Sequence, residues 1–192
     1  MVGVGGQGIV LASDILSDVA MAAGYDVKKT DTLGMAQRGG SVVSHIRIAD
    51  KVWSPLMKEG DADVLIAFEK LEAARWSYFL SEKGSAIVNM QTTPPLAVSL
   101  GLIKYPSDKE IEAILKRTAG KYYLVDGTRQ AKELGDVRAL NMLMLGCVST
   151  LLPIGVKIWQ DYMARRLPAK ILNLNMVAFD KGREEMSRAG VK

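Results

Sequence analysis

Cysteine and histidine are almost missing from this 192-residue chain, which has one of each, Cys147 and His45. A single thiol forms no internal disulfide and cannot supply the several thiolates of an iron–sulfur cluster. Set in the apolar run 142–148, Cys147 reads as a buried small hydrophobe. His45, on the polar side of a strand pattern, reads as a hydrogen-bonded structural group ahead of a general base. No histidine or cysteine pair at ligand spacing and no carboxylate cluster marks a metal site. A nucleophile-elbow serine and a Walker A sequence are also missing. A self-sufficient active site is poorly provided for, and no residue is assigned a catalytic role. The excess of one charge sign is small as well, 25 basic against 21 acidic residues for a net +4. The basic residues are scattered apart from Lys28-Lys29, Arg165-Arg166 and the tail 181–192. They read as solvated faces, so neither nucleic acid nor membrane is expected as a partner. No apolar run is long enough to span a bilayer, and the first residues lack the basic region of a signal peptide. A cytoplasmic location is the expectation.

What the chain does have is 48% hydrophobic residues, 18 glycines and an alternation of strand-like and helix-like segments. That length and make-up suit one domain, 1–192, with about 153–192 as a helical C-terminal extension. Its opening stretch, Gly3-Val4-Gly5-Gly6-Gln7-Gly8, satisfies G-x-G-x-x-G between a short apolar start and a helical pattern over 9–23. A Rossmann-type unit receives a diphosphate at this point, on a helix N-terminus. Glycine-rich turns from strand to helix also serve tight packing without a ligand, so the motif alone leaves both readings open. A full strand ordinarily precedes such a loop, so Met1 is read as a clipped or late start.

A short polar strand at 25–30 fits a sheet edge, and 31–40 is a glycine-containing loop. Alternation over 41–48, with a turn at Asp50-Lys51 before Val52-Trp53-Ser54, predicts a β-hairpin. The continuous apolar runs 64–68 and 85–89 predict strands covered on both faces of a parallel sheet. A helix is expected over 71–80 and another after the capping box of Ser107 and Glu110, closed by Gly120. A strand at 122–125 follows, then an apolar helix over 137–152 capped by Asp136, and helices over 156–166 and 168–186. The fold class is α/β, a Rossmann-like, mostly parallel sheet flanked by helices, with a β-hairpin insertion and a helical C-terminal portion.

A dinucleotide site needs an acid after the second strand to hold ribose hydroxyls. Asp26 and Asp31 are the candidates, although Lys28 and Lys29 make that strand unusually charged. The loop Met35-Ala36-Gln37-Arg38-Gly39-Gly40 carries a second pattern. Its arginine and bare backbone amides could meet a carboxylate or phosphate, or form an ordinary surface turn.

Taken together, Val2-Gly3-Val4-Gly5-Gly6-Gln7-Gly8-Ile9, then Gly34-Met35-Ala36-Gln37-Arg38-Gly39-Gly40-Ser41-Val42-Val43-Ser44-His45-Ile46-Arg47, resemble the gamma-type domain of the 2-oxoacid:ferredoxin oxidoreductases. Ser54-Pro55, Gly60-Asp61-Ala62-Asp63, 141–146 and 175–182 fit the same pattern. The wording Asp31-Thr32-Leu33-Gly34-Met35-Ala36-Gln37-Arg38 and Ala67-Phe68-Glu69-Lys70-Leu71-Glu72-Ala73 is most similar to the small (beta) subunit of the indolepyruvate type. The resemblance implies an accessory subunit without a redox centre. Thiamine diphosphate, Mg²⁺ and the Fe-S clusters are then expected on a large partner subunit, with none bound by this chain alone. The whole enzyme would oxidatively decarboxylate a 2-oxoacid, here indolepyruvate or an aryl-pyruvate, to an acyl-CoA. Coenzyme A (CoA) would be the co-substrate and ferredoxin the electron acceptor. Gly5, Gly6, Gln7 and Gly8, with Gln37, Arg38, Gly39 and Gly40, would form two loops facing the partner, the substrate or CoA. The alternatives are a gamma subunit of a pyruvate, 2-oxoglutarate or 2-oxoisovalerate oxidoreductase, or an independent dinucleotide-binding protein.

Overall fold

The computed structural model describes residues 1–33 and 39–191. Its elements run β1 (Val2–Val4), α1 (Ile9–Ala22), β2 (Asp26–Leu33), β3 (Ser41–Ala49), β4 (Ala62–Ala67), α2 (Lys70–Trp76) and β5 (Leu80–Asn89). They continue with α3 (Leu96–Ser99), α4 (Asp108–Thr118), β6 (Lys121–Val125), α5 (Gly127–Glu133), α6 (Leu140–Ser149), α7 (Val156–Arg166) and α8 (Ala169–Arg188). The strands form one sheet in the order β2-β3-β1-β4-β5-β6. β1 pairs with β4, β4 with β5 and β5 with β6 in parallel, whereas β3 runs antiparallel to β1 with Val4 opposite Ser41. The mostly parallel α/β sheet expected from the alternation is therefore present, with the polar β2 at its edge.

By contact the chain divides into two compact units, and β2 and β3 contribute to both. The first is Met1–Ile9, Asp31–His45 and Met57–Val125. Its central strand β4 is the apolar run read from the sequence, with Leu65, Ile66, Ala67 and the following Phe68 buried. α2 packs on β1, β4, β5 and α4, around a core of Val2, Val43, Leu65, Ala67, Ala73, Ala86, Val88, Ile111 and Leu115. α4 opens with the expected capping box, in which the Ser107 hydroxyl accepts from the Glu110 N–H while Glu110 accepts from the Ser107 N–H. It turns Ile111 and Leu115 inward. Burying each of these contributes about 1.5–3 kcal/mol.

The second unit is Val10–Thr30, Ile46–Leu56 and Asp126–Lys192. At its centre α6 is buried along nearly its whole length, as a helix apolar on all sides must be. It crosses α8 backbone to backbone. A β-carbon on Gly146 would lie 2.0 Å from the Phe179 carbonyl oxygen, and one on Gly182 would lie 1.9 Å from that of Leu143. Beside this crossing the Cys147 thiol donates to the Gly182 carbonyl at 3.3 Å, and burial pushes its pKa up to about 12. Trp159 of α7 packs on Phe179 with ring centroids 5.4 Å apart. The Tyr162 hydroxyl donates to Asp18 of α1 at 2.8 Å.

Two expectations shift. Residues 52–54 form no strand; the Val52 N–H donates instead to Asp26 at 2.9 Å. β3 has β2 and β1 as its neighbours. The helix expected over 71–80 ends at Trp76, and after a 3₁₀ turn the chain enters β5 at Leu80. Among the described residues no helix is long and apolar enough to cross a membrane.

Candidate functional site

In open α/β sheets, ligands bind outside the carboxyl ends of the parallel strands. Here the glycine turn leaves the end of β1. Because β3 is antiparallel to β1, Gly39 and Gly40, just before β3, lie beside that turn. The Gly5 N–H donates to the Gly40 carbonyl at 2.8 Å, and the Gly39 N–H returns to the Gly5 carbonyl at 3.3 Å. The two loops singled out in the sequence are thus joined by a short ladder. Gly6 and Gly8 sit at φ +102° and +78°, backbone that side chains disfavour.

Gln7 explains the first glycine of the motif. Its side-chain oxygen accepts from the Val4 N–H at 2.8 Å, and its side-chain nitrogen donates to the Phe68 carbonyl at 3.4 Å. A β-carbon on Gly3 would lie 2.7 Å from that same oxygen. The space that Gly3 leaves open is filled by the chain's own amide. The Phe68 carbonyl also accepts from the Asn89 side chain at 3.0 Å, while the Phe68 N–H donates to the Val2 carbonyl at 2.9 Å. The ends of β1, β4 and β5 are knitted together at this one residue.

Immediately after it come two buried carboxylates that the sequence reading passed over. Glu69 is 0% exposed. It caps α2 by accepting from the Glu72 N–H at 2.9 Å, and also accepts from the Thr93 N–H at 3.1 Å and from the Tyr105 hydroxyl. Burial, and then the bond to Glu69, raise the Tyr105 pKa well above its ordinary value. Glu72 accepts from the Ser41 hydroxyl and from the Trp76 indole N–H at 3.2 Å, with Arg75 at 3.3 Å. Ser41 directly follows Gly40. A continuous polar chain therefore runs from the glycine turn through Gly40, Ser41, Glu72 and Glu69 to Thr93 and Tyr105. The signal available in the sequence was an acid at the end of a buried strand with a second acid three residues on, the spacing of a helix cap.

The other candidates are placed as follows. Gly5, Gly6, Gln7, Gly8, Gly39 and Gly40 come together at the end of β1, whereas Gln37 and Arg38 lie outside the described residues. Asp31 accepts from the Ser44 hydroxyl at 2.6 Å. Asp26 accepts from Lys28 at 3.3 Å and from the Val52 N–H at 2.9 Å, and the Val52 bond holds its carboxyl below the usual range. Both acids considered for a ribose are engaged with strand neighbours. His45 meets Phe79 edge to face at 5.0 Å, and burial lowers its pKa. Among the described residues no group of three His, Cys, Asp or Glu side chains is placed to hold a metal ion.

This arrangement can order backbone at the carboxyl ends of the central strands and present it to another surface. The model of the family described as pyruvate ferredoxin/flavodoxin oxidoreductase matches residues 1–185. The indolepyruvate oxidoreductase subunit IorB of Pyrococcus horikoshii is 37% identical over 183 residues, 94% of this chain and 91% of that one. Among solved structures, a keto/oxoacid ferredoxin oxidoreductase gamma subunit from Geobacter sulfurreducens superposes with a TM-score of 0.69. It is 22% identical, over 97% of this chain and 96% of that one. A 2-oxoglutarate:ferredoxin oxidoreductase from Magnetococcus marinus, solved with 2-oxoglutarate, coenzyme A and succinyl-CoA bound, gives 0.75 at 21% identity. That likeness covers 97% of this chain but 30% of the other. With a family model spanning nearly its whole length, this chain belongs to the pyruvate ferredoxin/flavodoxin oxidoreductase family.

Proposed function

We propose that the chain is the subunit without a redox centre of an indolepyruvate:ferredoxin oxidoreductase, and that it works only in complex with a larger partner. The observation that carries this is the 37% identity to an indolepyruvate oxidoreductase subunit over 94% of the chain. The single cysteine supports it, since its buried thiol neither ionises readily nor has companions to bind a cluster. Thiamine diphosphate, Mg²⁺ and Fe-S clusters on the partner would supply decarboxylation and electron transfer to ferredoxin, with release of an acyl-CoA. This chain supplies shape and polar backbone. Gly5, Gly6, Gln7 and Gly8, with Gly39 and Gly40, form one face of the contact, and Arg38 offers its guanidinium to a partner carboxylate or to a phosphate of CoA. The internal engagement of Gln7 makes that glycine turn a rigid support. An independent dinucleotide enzyme is disfavoured because Gln7 fills the space beside Gly3 and both acids near the second strand are engaged.

The test is reconstitution. Co-expressed with a large subunit carrying thiamine-diphosphate and cluster motifs, the chain should support ferredoxin reduction by indolepyruvate and CoA. A panel with pyruvate and 2-oxoglutarate reads the substrate class. Tight binding of NAD by the isolated chain, abolished by substituting Gly5, would overturn the proposal.

A further inference from the structure

Residues 90–107, between β5 and α4, carry one basic and no acidic side chain before Ser107, namely Lys104, in a chain that is 24% charged. Within them stand Leu96, Leu100, Leu102 and Ile103, exposed by 73%, 64%, 72% and 58%. This segment is shaped, not slack. α3 closes in a Schellman-type turn, with Gly101 at φ +73°, the Gly101 N–H on the Val98 carbonyl and the Leu102 N–H on the Ala97 carbonyl, both at 2.9 Å. Such a turn carries the residue after the glycine, Leu102, back toward the helix start. The roots of the segment are fixed too. The Thr93 N–H and the Tyr105 hydroxyl both donate to buried Glu69, and the Lys70 N–H donates to the Gln91 carbonyl at 3.1 Å. At about 190 Å² for a fully exposed Leu or Ile, the four residues present roughly 500 Å², the size of the largest apolar patch on a typical monomer, which is often a functional surface.

We propose that residues 94–103 are a docking arm that seats in an apolar, concave surface of the cofactor-bearing partner subunit; this rests on the subunit reading above. Area decides between that occupant and a second copy of the chain. Two such arms laid face to face would bury at most roughly 1,000 Å² in total, no more than the floor for a biological interface. A concave surface closing round the arm passes that figure. Because Glu69 and the Gly101 turn hold the arm before any partner arrives, little ordering opposes docking.

The experiment is affinity capture of the tagged large subunit with wild-type chain, with the double variant Leu100→Lys/Leu102→Lys, and with Leu96→Lys. Melting temperatures of the isolated chains are read alongside, and Leu96→Lys decides should the double variant melt early. The arm variants are expected to lose at least tenfold in captured chain at unchanged melting temperature. Capture at the wild-type level overturns the arm and leaves the subunit reading standing. A wild-type dimer in the ultracentrifuge that these substitutions dissociate, with capture unchanged, also overturns it. Failure of the wild-type chain itself to be captured overturns both.

Discussion

Glu69 shows how a single buried residue can organise the end of a central strand. Its carboxylate collects donors from α2, from the loop after β5 and from Tyr105. Glu69→Ala takes the acceptor from the buried Glu72 N–H and from the part-buried Thr93 N–H and Tyr105 hydroxyl, at about 1–3 kcal/mol for a donor left buried and unpaired. We expect a total loss of about 3 kcal/mol in urea unfolding, and a smaller loss for Glu69→Gln, which keeps an acceptor oxygen. Equal stability of Glu69→Ala and wild type would count against the clamp. His45 gives a pH signature. Burial lowers its pKa from 6.5 in the folded chain. The unfolded chain therefore takes up a proton that the folded chain does not. This histidine's contribution to stability is complete above about pH 6.5 and falls as the pH drops below it. Urea midpoints at pH 7.5 and 5.5 should separate more in wild type than in His45→Gln. Equal separations would contradict the assignment.

At the scale of elements, the α6–α8 crossing is the tightest contact. The atoms facing Gly146 and Gly182 are backbone oxygens about 2 Å from an added β-carbon, so the helices themselves must part. Gly182→Ala and Gly146→Ala are each expected to cost about 3 kcal/mol, the upper end of ordinary overpacking. Gly155, with nothing within 4 Å of an added β-carbon, is the control, and Gly155→Ala should lie within about 0.5 kcal/mol of wild type. Denaturant titration of the three variants checks the contrast. The sequence showed these helices clearly where local signals were complete. The Ser107–Glu110 box opens α4 as expected, and α7 occupies the 156–166 of its apolar pattern. It was silent where tertiary contacts chose. Val52 looked like a returning strand, yet its N–H is taken by Asp26, 26 residues earlier. α5 was hidden behind Asp126-Gly127, which reads as a turn. The glycines of the first loop were legible as a motif, but their reason was not. That Gln7 fills the space over Gly3, and that Gly5 pairs with Gly40, follows from the β1–β3 register, which no local pattern encodes. Glu69 and Glu72 were overlooked because acids after a strand are common and only burial sets these two apart.

At the scale of the molecule, the account is one of division of labour. In the reading proposed above, a chain with one buried thiol, a lone histidine and a glycine turn packed by its own glutamine supports chemistry held on a partner subunit. Arg38→Ala should lower the rate of the assembled enzyme at least tenfold, or raise the CoA concentration it needs, while leaving the isolated chain's unfolding unchanged. An unaltered rate and CoA dependence would make the Gln37–Gly40 loop merely structural. The central claim, that this is the accessory subunit of a 2-oxoacid:ferredoxin oxidoreductase, is tested most directly by ferredoxin reduction with indolepyruvate and CoA, measured for each chain alone and for the reconstituted pair. The account predicts turnover only by the pair. Full turnover by either chain alone would contradict it.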